Sequence, residues 1–228
     1  MIDIPMKSKC AVDRSTIHLL NSARSLTTVS VPSADTAKQQ IPALKKPVQK
    51  GQKISIGSET SLHAINACFG WNTKNPLCDV DVSAFLLGAN GKVLGDEWFV
   101  FYGQTDSPDR STVLHLDSAT DREIITVDFN KLNRSVKKIV FVLTINEAFE
   151  KNLNFGMMKD AYIRILNPSN LTEYVSFKME DYYSNVISMM IGEVYNHNGN
   201  WKFNAVGNGV ARDLAGLCAL YGVAVENN

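Results

Sequence analysis

The stretch Cys78-Asp-Val-Asp-Val-Ser-Ala-Phe-Leu-Leu87 decides the fold of this chain. Its first half alternates strictly between apolar and polar residues, which is the period of a β-strand. Asn90-Gly91 follows shortly after, and this dipeptide is the strongest short-range signal for a two-residue hairpin turn. The partner strand is predicted in two pieces, Lys92–Leu94 and Trp98–Tyr102. Together these residues predict an antiparallel hairpin.

Strand-like runs continue towards the C-terminus, and most gaps between them are too short for the helix of a βαβ crossover. The further predicted strands are Glu123–Asp128, Lys138–Ile145, Ala161–Leu166, Glu173–Lys178, Val186–Tyr195 and Trp201–Val206. Lys138–Ile145 is nearly all apolar, which predicts burial on both faces. Leucines recur at helical spacing from Leu214 to Leu220, after the breaker Gly207-Asn208-Gly209. The predicted fold class is therefore mainly β, an antiparallel β-sandwich with a few short helices, including one near the C-terminus.

Residues 1–50 have a different character. They are rich in Ser, Thr, Lys and Gln, and they keep no sustained period of a helix or a strand. A short helix over Thr16–Arg24 is the one regular element suggested there. We interpret residues 1–50 as a basic, flexible arm with a linker, and residues 51–228 as the folded domain.

The composition narrows the class of protein. With 228 residues, 45% hydrophobic and 20% charged, the chain has enough apolar side chains for a real core and is not a disordered protein. The 23 Lys and Arg balance the 23 Asp and Glu, which argues against a strongly basic nucleic-acid binder. This net charge of zero is unevenly distributed along the chain. Residues 1–50 hold eight bases and three acids, or +5, and the remaining residues carry −5. Residues 79–128 alone hold ten acids and three bases, or −7.

The four cysteines are scattered and form no CxxC pair, so neither a disulfide framework nor a structural zinc site is expected. The N-terminus lacks the apolar core of a signal peptide. No run approaches the roughly 20 apolar residues that span a bilayer. The sequence therefore predicts a soluble, reduced, cytoplasmic protein.

The acidic stretch suggests a cation site. Asp79 and Asp81 are two residues apart in the predicted strand, so their carboxylates would leave the same face roughly 6.5–7 Å apart. Two such charges repel unless a cation or a base lies between them. Further acids follow at Asp106, Asp109, Asp117, Asp121 and Glu123. Calcium takes six to eight hard oxygen ligands at about 2.3–2.6 Å, whereas the alternative interpretation is a solvated edge that resists aggregation.

A set of motifs in this chain resembles the TerD domain, a family associated with tellurium resistance and stress response. The motifs are Gly70-Trp71, Asp79–Leu87, Phe99–Tyr102, Ser107–Asp109, Val140–Val142, Asn154–Gly156 and Tyr195–Gly207. They occur in the family's order between about Gly51 and Val223. The resemblance implies a β-sandwich that binds calcium through acidic loops.

The resemblance also implies a ligand set for calcium. The metal positions carried over are Asn72, Asp79, Asp81, Asp109, Asp117, Asp121 and Glu123. Three residues depart from the family pattern, because Asn72 replaces a carboxylate, Arg110 a turn glycine and Arg122 an aspartate. The acidic loop after Asp117 is also shorter than in the family. Fewer anionic ligands beside an added cation predict weakened calcium affinity.

Three functions stay open at this point. The leading hypothesis is a calcium-binding, non-enzymatic stress-response module that acts through protein partners. The first alternative is a degenerate scaffold of the same fold without calcium, in which the arginines pair with the former ligand carboxylates. The second is a hydrolase that depends on a divalent metal, although no His, Lys or Cys is placed as a base or nucleophile, and Ser83 lacks a GxSxG motif. The basic arm adds a hypothesis of membrane association.

Overall fold

The computed structural model describes residues 40–116 and 120–225. The predicted helix over Thr16–Arg24 and the predicted ligand Asp117 lie outside the described residues. No helix within the described ranges is long and apolar enough to cross a membrane.

The described residues form thirteen strands and one α-helix. They are β1 (Pro47–Val48), β2 (Lys53–Ser58), β3 (Ala64–Thr73), β4 (Val80–Leu87), β5 (Phe99–Val100), β6 (Thr112–Leu116), β7 (Glu123–Asp128), β8 (Lys138–Ile145), β9 (Met158–Leu166), β10 (Glu173–Lys178), β11 (Ser188–His197), β12 (Asn200–Asn204), β13 (Asn208–Val210) and α1 (Leu214–Tyr221). Short 3₁₀ turns precede β5 and β9.

The strands form two sheets that pack face to face. The first sheet has the order β1-β10-β9-β3-β7-β6, and the second has the order β2-β12-β11-β8-β4-β5 with β13 beside β11. All pairs are antiparallel except β1 with β10. The predicted antiparallel sandwich with a C-terminal helix is therefore confirmed.

Side-chain alternation fixes the two faces of the second sheet. Phe141 of β8 points inward, because its ring meets Phe69 of the first sheet at 5.6 Å. Ala84 is its cross-strand partner and shares that face. Phe85 consequently points outward, where its ring lies 4.5 Å from that of Tyr221 in α1. The helix thus covers part of the outer face, and this explains why β8 is buried on both faces as predicted.

Several strands have the predicted bounds, among them β7, β8 and β10. The hairpin partner of β4 is shorter than predicted. Its first piece is a single bridge between Leu87 and Val93, and its second piece is a 3₁₀ turn followed by the two-residue strand β5. Strands β1, β2, β3, β6 and β13 were not predicted. The predicted breaker at Gly207–Gly209 overlaps β13, because pairing with β11 outweighs the low strand propensity of Gly and Asn.

The end of the predicted arm takes part in the fold. Pro47 and Val48 pair with Ser176 and Phe177 of β10, and the backbone N–H of Lys46 donates to Glu173 Oε1 at 2.7 Å. Residues 46–48 therefore extend the first sheet by one strand.

Candidate functional site

Strand β7 separates the predicted calcium ligands into two groups. Glu123 begins the strand opposite Leu116, and Val127 lies near its other end opposite Thr112. Six residues of strand span roughly 17 Å. Asp109 lies beyond the Val127 end, where its Oδ2 accepts a hydrogen bond from the backbone N–H of Asn133 at 2.9 Å. One ion cannot therefore contact both Asp109 and the acids around Glu123.

Asp109 is held as a turn residue. Its Oδ1 accepts from Ser107 Oγ at 2.7 Å and from the backbone N–H of Ser111 at 2.9 Å. Burial alone raises the pKa of this carboxyl, but the donated hydrogen bonds outweigh burial and lower the pKa below 3.8. Arg110 in this turn adopts φ 52°, which lies in the left-handed region that favours the glycine of the family pattern.

Glu123 connects the two sheets at the edge that carries Asp81. Its Oε2 accepts a hydrogen bond from the backbone N–H of Val82 at 3.1 Å, which brings a carboxylate of β7 next to Asp81 on β4. Glu123 is 8% exposed, and Asp81 is half-buried. Asp79 is exposed and precedes the strand, which begins at Val80. Its backbone carbonyl accepts from Asn146 N–H at 2.8 Å.

Asp121 has a different environment, inside a buried ion pair. Arg164 donates to both of its oxygens, from Nε to Oδ1 at 3.0 Å and from Nη2 to Oδ2 at 2.7 Å. Tyr162 Oη donates to Oδ1 at 2.9 Å. Burial first, and the neighbouring Asp121 second, raise the pKa of the Tyr162 phenol and raise that of the Cys68 thiol to about 12. The cation that pairs with Asp121 is thus Arg164 of β9, whereas Arg122 donates to the carbonyl of Trp71.

The two remaining departures from the family pattern, Asn72 and Arg122, lie on or against β3. Asn72 is buried on β3 and its Nδ2 donates to Asp160 Oδ2 at 3.3 Å. Lys178 also pairs with Asp160, through Oδ1 at 3.1 Å. Arg122 donates from Nε to the carbonyl of Trp71 at 2.7 Å and lies 5.5 Å from the centre of its ring. Burial lowers the pKa of this guanidinium.

A polar row crosses the outer face of the second sheet. Asp81 pairs with Thr144 of β8, and Thr144 pairs with Ser188 of β11, so the three side chains share one face. Ser188 Oγ donates to the carbonyl of Arg212 at 2.6 Å. Only Asp81 was predicted from the sequence. A Thr at the end of an otherwise apolar strand was the one signal that could have revealed the row.

The described residues hold no group of three or more His, Cys, Asp or Glu that is arranged to bind a metal ion. Oxygen donors at the β4 edge have the chemistry that calcium prefers, and the predicted ligands nearest to this edge are Asp79, Asp81 and Glu123. Asp109 and Asp121 are held by hydrogen bonds and an ion pair elsewhere. The six predicted ligands that the structure describes are thus not gathered around one point.

The fold is a two-sheet antiparallel sandwich in which an acid of the first sheet, Glu123, reaches the backbone of β4 beside Asp81. The sequence model of the TerD domain matches residues 44–221. The chain therefore belongs to the TerD family, as its motifs predicted.

Relatives and solved structures agree with this membership. The chain is 37% identical to the tellurium resistance protein TerD of Serratia marcescens, over 77% of this chain and 96% of that protein. It is 33% identical to general stress protein 16U of Bacillus subtilis, over 77% of this chain and 96% of that protein. A solved structure of a TerD homologue from Streptomyces coelicolor superposes with a TM-score of 0.52 at 18% identity, covering 70% of this chain and 96% of that one. This last likeness concerns the fold alone.

Proposed function

We propose that this member of the tellurium-resistance and stress-response family is a calcium-binding module that acts in the cytoplasm through protein partners, without catalysis. One observation carries the calcium proposal. The hydrogen bond from Val82 N–H to Glu123 Oε2 brings a carboxylate of the first sheet beside Asp81 of the second. Carboxylate oxygens are the hard ligands that a divalent cation such as calcium prefers.

The proposed ligands are Asp81 and Glu123, with backbone carbonyls and water completing the shell. Two carboxylates are few for calcium, and affinity falls with the ligand charge count. We therefore expect weak binding, with a Kd on the order of 10⁻⁴–10⁻³ M. Bound calcium would link the two sheets at the β4 edge.

Calcium titration calorimetry on the metal-free full chain tests this proposal. We expect heat of binding in the wild type and a Kd raised at least about tenfold in Asp81→Asn and in Glu123→Gln. Asp106→Asn is the matched control, because this exposed acid makes a local hydrogen bond with Thr105. An absence of heat and of any thermal shift at millimolar calcium would reject calcium binding, and equal effects of all three variants would reject the ligand assignment.

A scaffold without calcium is the second candidate, and the Asp121–Arg164 pair favours it. A guanidinium bonded to both carboxylate oxygens neutralises the acid that a calcium ion would otherwise need. In this case the calorimeter shows no binding, while Arg164→Gln creates calcium affinity that the wild type lacks. No gain of affinity in that variant would count against the scaffold interpretation.

The absence of catalysis and the basic arm have separate tests. A broad hydrolase screen with magnesium or manganese should give no turnover, and any turnover that Asp81→Asn abolishes would favour the metal-dependent hydrolase.

For residues 1–50, vesicles containing anionic lipid should bind the full chain only at low salt, because three lysines near residue 50 give weak attraction. If the full chain still bound these vesicles at physiological salt, the arm would have a stronger membrane role than we expect.

A further inference from the structure

A cleft of about 380 Å³ lies over the outer face of the second sheet. Its floor is formed by β4 and β8, and its walls by residues 146–150 and by the start of α1. This volume falls within the range of about 300–1,000 Å³ that is typical of small-molecule sites. A single calcium ion with ligands at about 2.3–2.6 Å occupies far less space. The cleft is therefore sized for an organic ligand.

The floor of the cleft contains a buried hydroxyl group. Ser83 of β4 lines the cleft and is 3% exposed. Among the described residues its Oγ has no hydrogen-bond partner. A buried hydroxyl of this kind costs free energy unless a bound molecule satisfies it. Ser83 therefore marks a point on the floor at which a ligand gains a hydrogen bond.

The strands on both sides of Ser83 place apolar side chains next to its hydroxyl. On β8 its cross-strand partner is Val142, which is fully buried. On the other side Phe85 pairs with Phe99, and this register continued by two residues places Phe101 beside Ser83. A charged group that bonded to the hydroxyl would lose its hydration among apolar neighbours, whereas a neutral group loses far less. The floor thus favours a neutral polar group.

Aromatic rings line the same cleft. Phe85 stacks on Phe99 with ring centres 4.3 Å apart, and Phe99 stacks on Phe101 at 4.7 Å. Phe85 points to the outer face, so this row of rings lies there, and Phe101 is the member that lines the cleft. Phe149 lines it from the wall of residues 146–150 and is 57% exposed. Aromatic rings pack well against other rings, offset-stacked or edge to face, so an aromatic ligand finds partners on the floor and in the wall.

We propose that this cleft binds a small, neutral aromatic molecule that carries a hydrogen-bonding group. The polar group of the ligand bonds to Ser83 Oγ, and its ring packs against Phe101 and Phe149. This binding is independent of calcium, because none of these three residues belongs to the proposed calcium ligands.

NMR chemical shifts of the calcium-free full chain, titrated with four probes of similar size, test the proposal. Benzamide is the neutral aromatic probe, and its carboxamide can donate to a hydroxyl or accept from it. Benzamidine and benzoate are the cationic and anionic analogues, and cyclohexanecarboxamide keeps the neutral amide without the aromatic ring. We expect benzamide to shift resonances of β4, residues 146–150 and the start of α1, with a Kd of about 1–10 mM that suits so small a molecule.

The other probes define the class of ligand. Benzamidine and benzoate should bind at least about tenfold more weakly than benzamide, and cyclohexanecarboxamide about two- to tenfold more weakly. No localised shift with benzamide at about 50 mM would overturn the proposal. Binding of either charged analogue as tight as that of benzamide would overturn the neutral class, and equal binding of cyclohexanecarboxamide would overturn the aromatic one.

Ser83→Ala tests the floor contact. It should weaken benzamide about three- to tenfold and leave the Tm of the ligand-free chain unchanged or raised, because a buried hydroxyl without a partner does not stabilise the fold. Ser176→Ala is the matched control, since Ser176 Oγ on β10 of the first sheet is also buried without a hydrogen-bond partner among the described residues. It should leave the Kd unchanged. Equal Kd values in Ser83→Ala and wild type, or equal losses in both variants, would overturn the assigned contact.

Phe149→Ala tests the wall contact. It should weaken benzamide roughly two- to fivefold, since the ring of the ligand loses an aromatic partner. Leu171→Ala is the matched control, because Leu171 is 64% exposed in the turn before β10 of the first sheet. Equal effects of these two variants would contradict the placement of the ligand against Phe149.

The outcome is separable from that of the calcium proposal. Glu123→Gln should change calcium affinity and leave benzamide affinity unchanged, because Glu123 lies at the sheet edge and does not line the cleft. Ser83→Ala should do the reverse. Loss of both ligands in both variants would contradict the separation of the two sites.

Discussion

The carboxylates of Asp121 and Asp81 lie on different sides of the sandwich in opposite surroundings. Asp121 is 2% exposed and is fixed by Arg164 and Tyr162. Asp81 is half-buried at an edge, with Glu123 on one side and a cleft on the other. The comparison shows that acids from the same acidic stretch of sequence can have different roles. The groups that surround each carboxylate determine whether it stabilises the fold or is placed to bind a ligand.

The largest expected effect comes from breaking the Asp121 pair. Asp121→Asn leaves the guanidinium of Arg164, whose side chain is 14% exposed, without its counter-charge. We expect a loss of about 3 kcal/mol in the free energy of unfolding, measured with urea. Arg164→Met should cost a similar amount. The double variant should cost less than the sum by at least about 1 kcal/mol, and strict additivity would contradict a coupled pair.

The second prediction removes the space that the pair needs. A Cβ at Gly70 would lie 2.4 Å from Tyr162 Oη, so Gly70→Ala must displace the phenol that donates to Asp121. We expect a cost of about 2 kcal/mol in urea unfolding. Gly216→Ala, beside the cleft, is the matched glycine variant. Its Cβ lies 3.1 Å from Arg212 Cβ, but alanine favours the helix, and the change should stay within about 1 kcal/mol. Equal losses in the two variants would argue against a tightly packed environment around Asp121.

The third prediction concerns Asp109, whose carboxylate is held by hydrogen bonds from Ser107, Ser111 and Asn133. Its pKa in the folded state lies below the ordinary 3.8, so its contribution to stability is complete above that value. The contribution is lost as the pH falls through the lowered pKa. Asp109→Asn should therefore be about 1 kcal/mol less stable than the wild type at pH 7.

The pH profile of urea unfolding checks this sign. The difference between wild type and Asp109→Asn should shrink below about pH 4 and go on shrinking as the pH falls through the lowered pKa. A difference that grows on acidification would mean that the carboxyl is protonated in the folded state at higher pH.

The smallest effect is expected at Asp81. In calcium-free buffer, Asp81→Asn should cost less than about 1 kcal/mol in the free energy of unfolding, because Asp81 is half-buried whereas Asp121 is 2% exposed. The same variant should show its effect in ligand titrations. A loss comparable with that of Asp121→Asn would remove the contrast between the two acids.

Much of the fold could be predicted from local pattern. Strands β7, β8 and β10 have the predicted bounds because alternation and apolar runs record which side chains are buried. Strand β13 was missed because its pairing with β11 depends on residues about twenty positions away. The site shows the same limit, as Asp81 and Glu123 were named as ligands while Thr144, Ser188 and the cleft were not.

The sequence by itself determined the class of fold, the family and the concentration of acids between residues 79 and 128. The tertiary structure alone decided which acidic side chains lie close together. Arg164 lies 43 residues from Asp121 in the chain, and Glu123 lies 41 residues from Val82. Composition and spacing record the type of each side chain and its burial. The register between distant strands sets which groups meet, so it alone separates an acid locked in an ion pair from one beside a cleft.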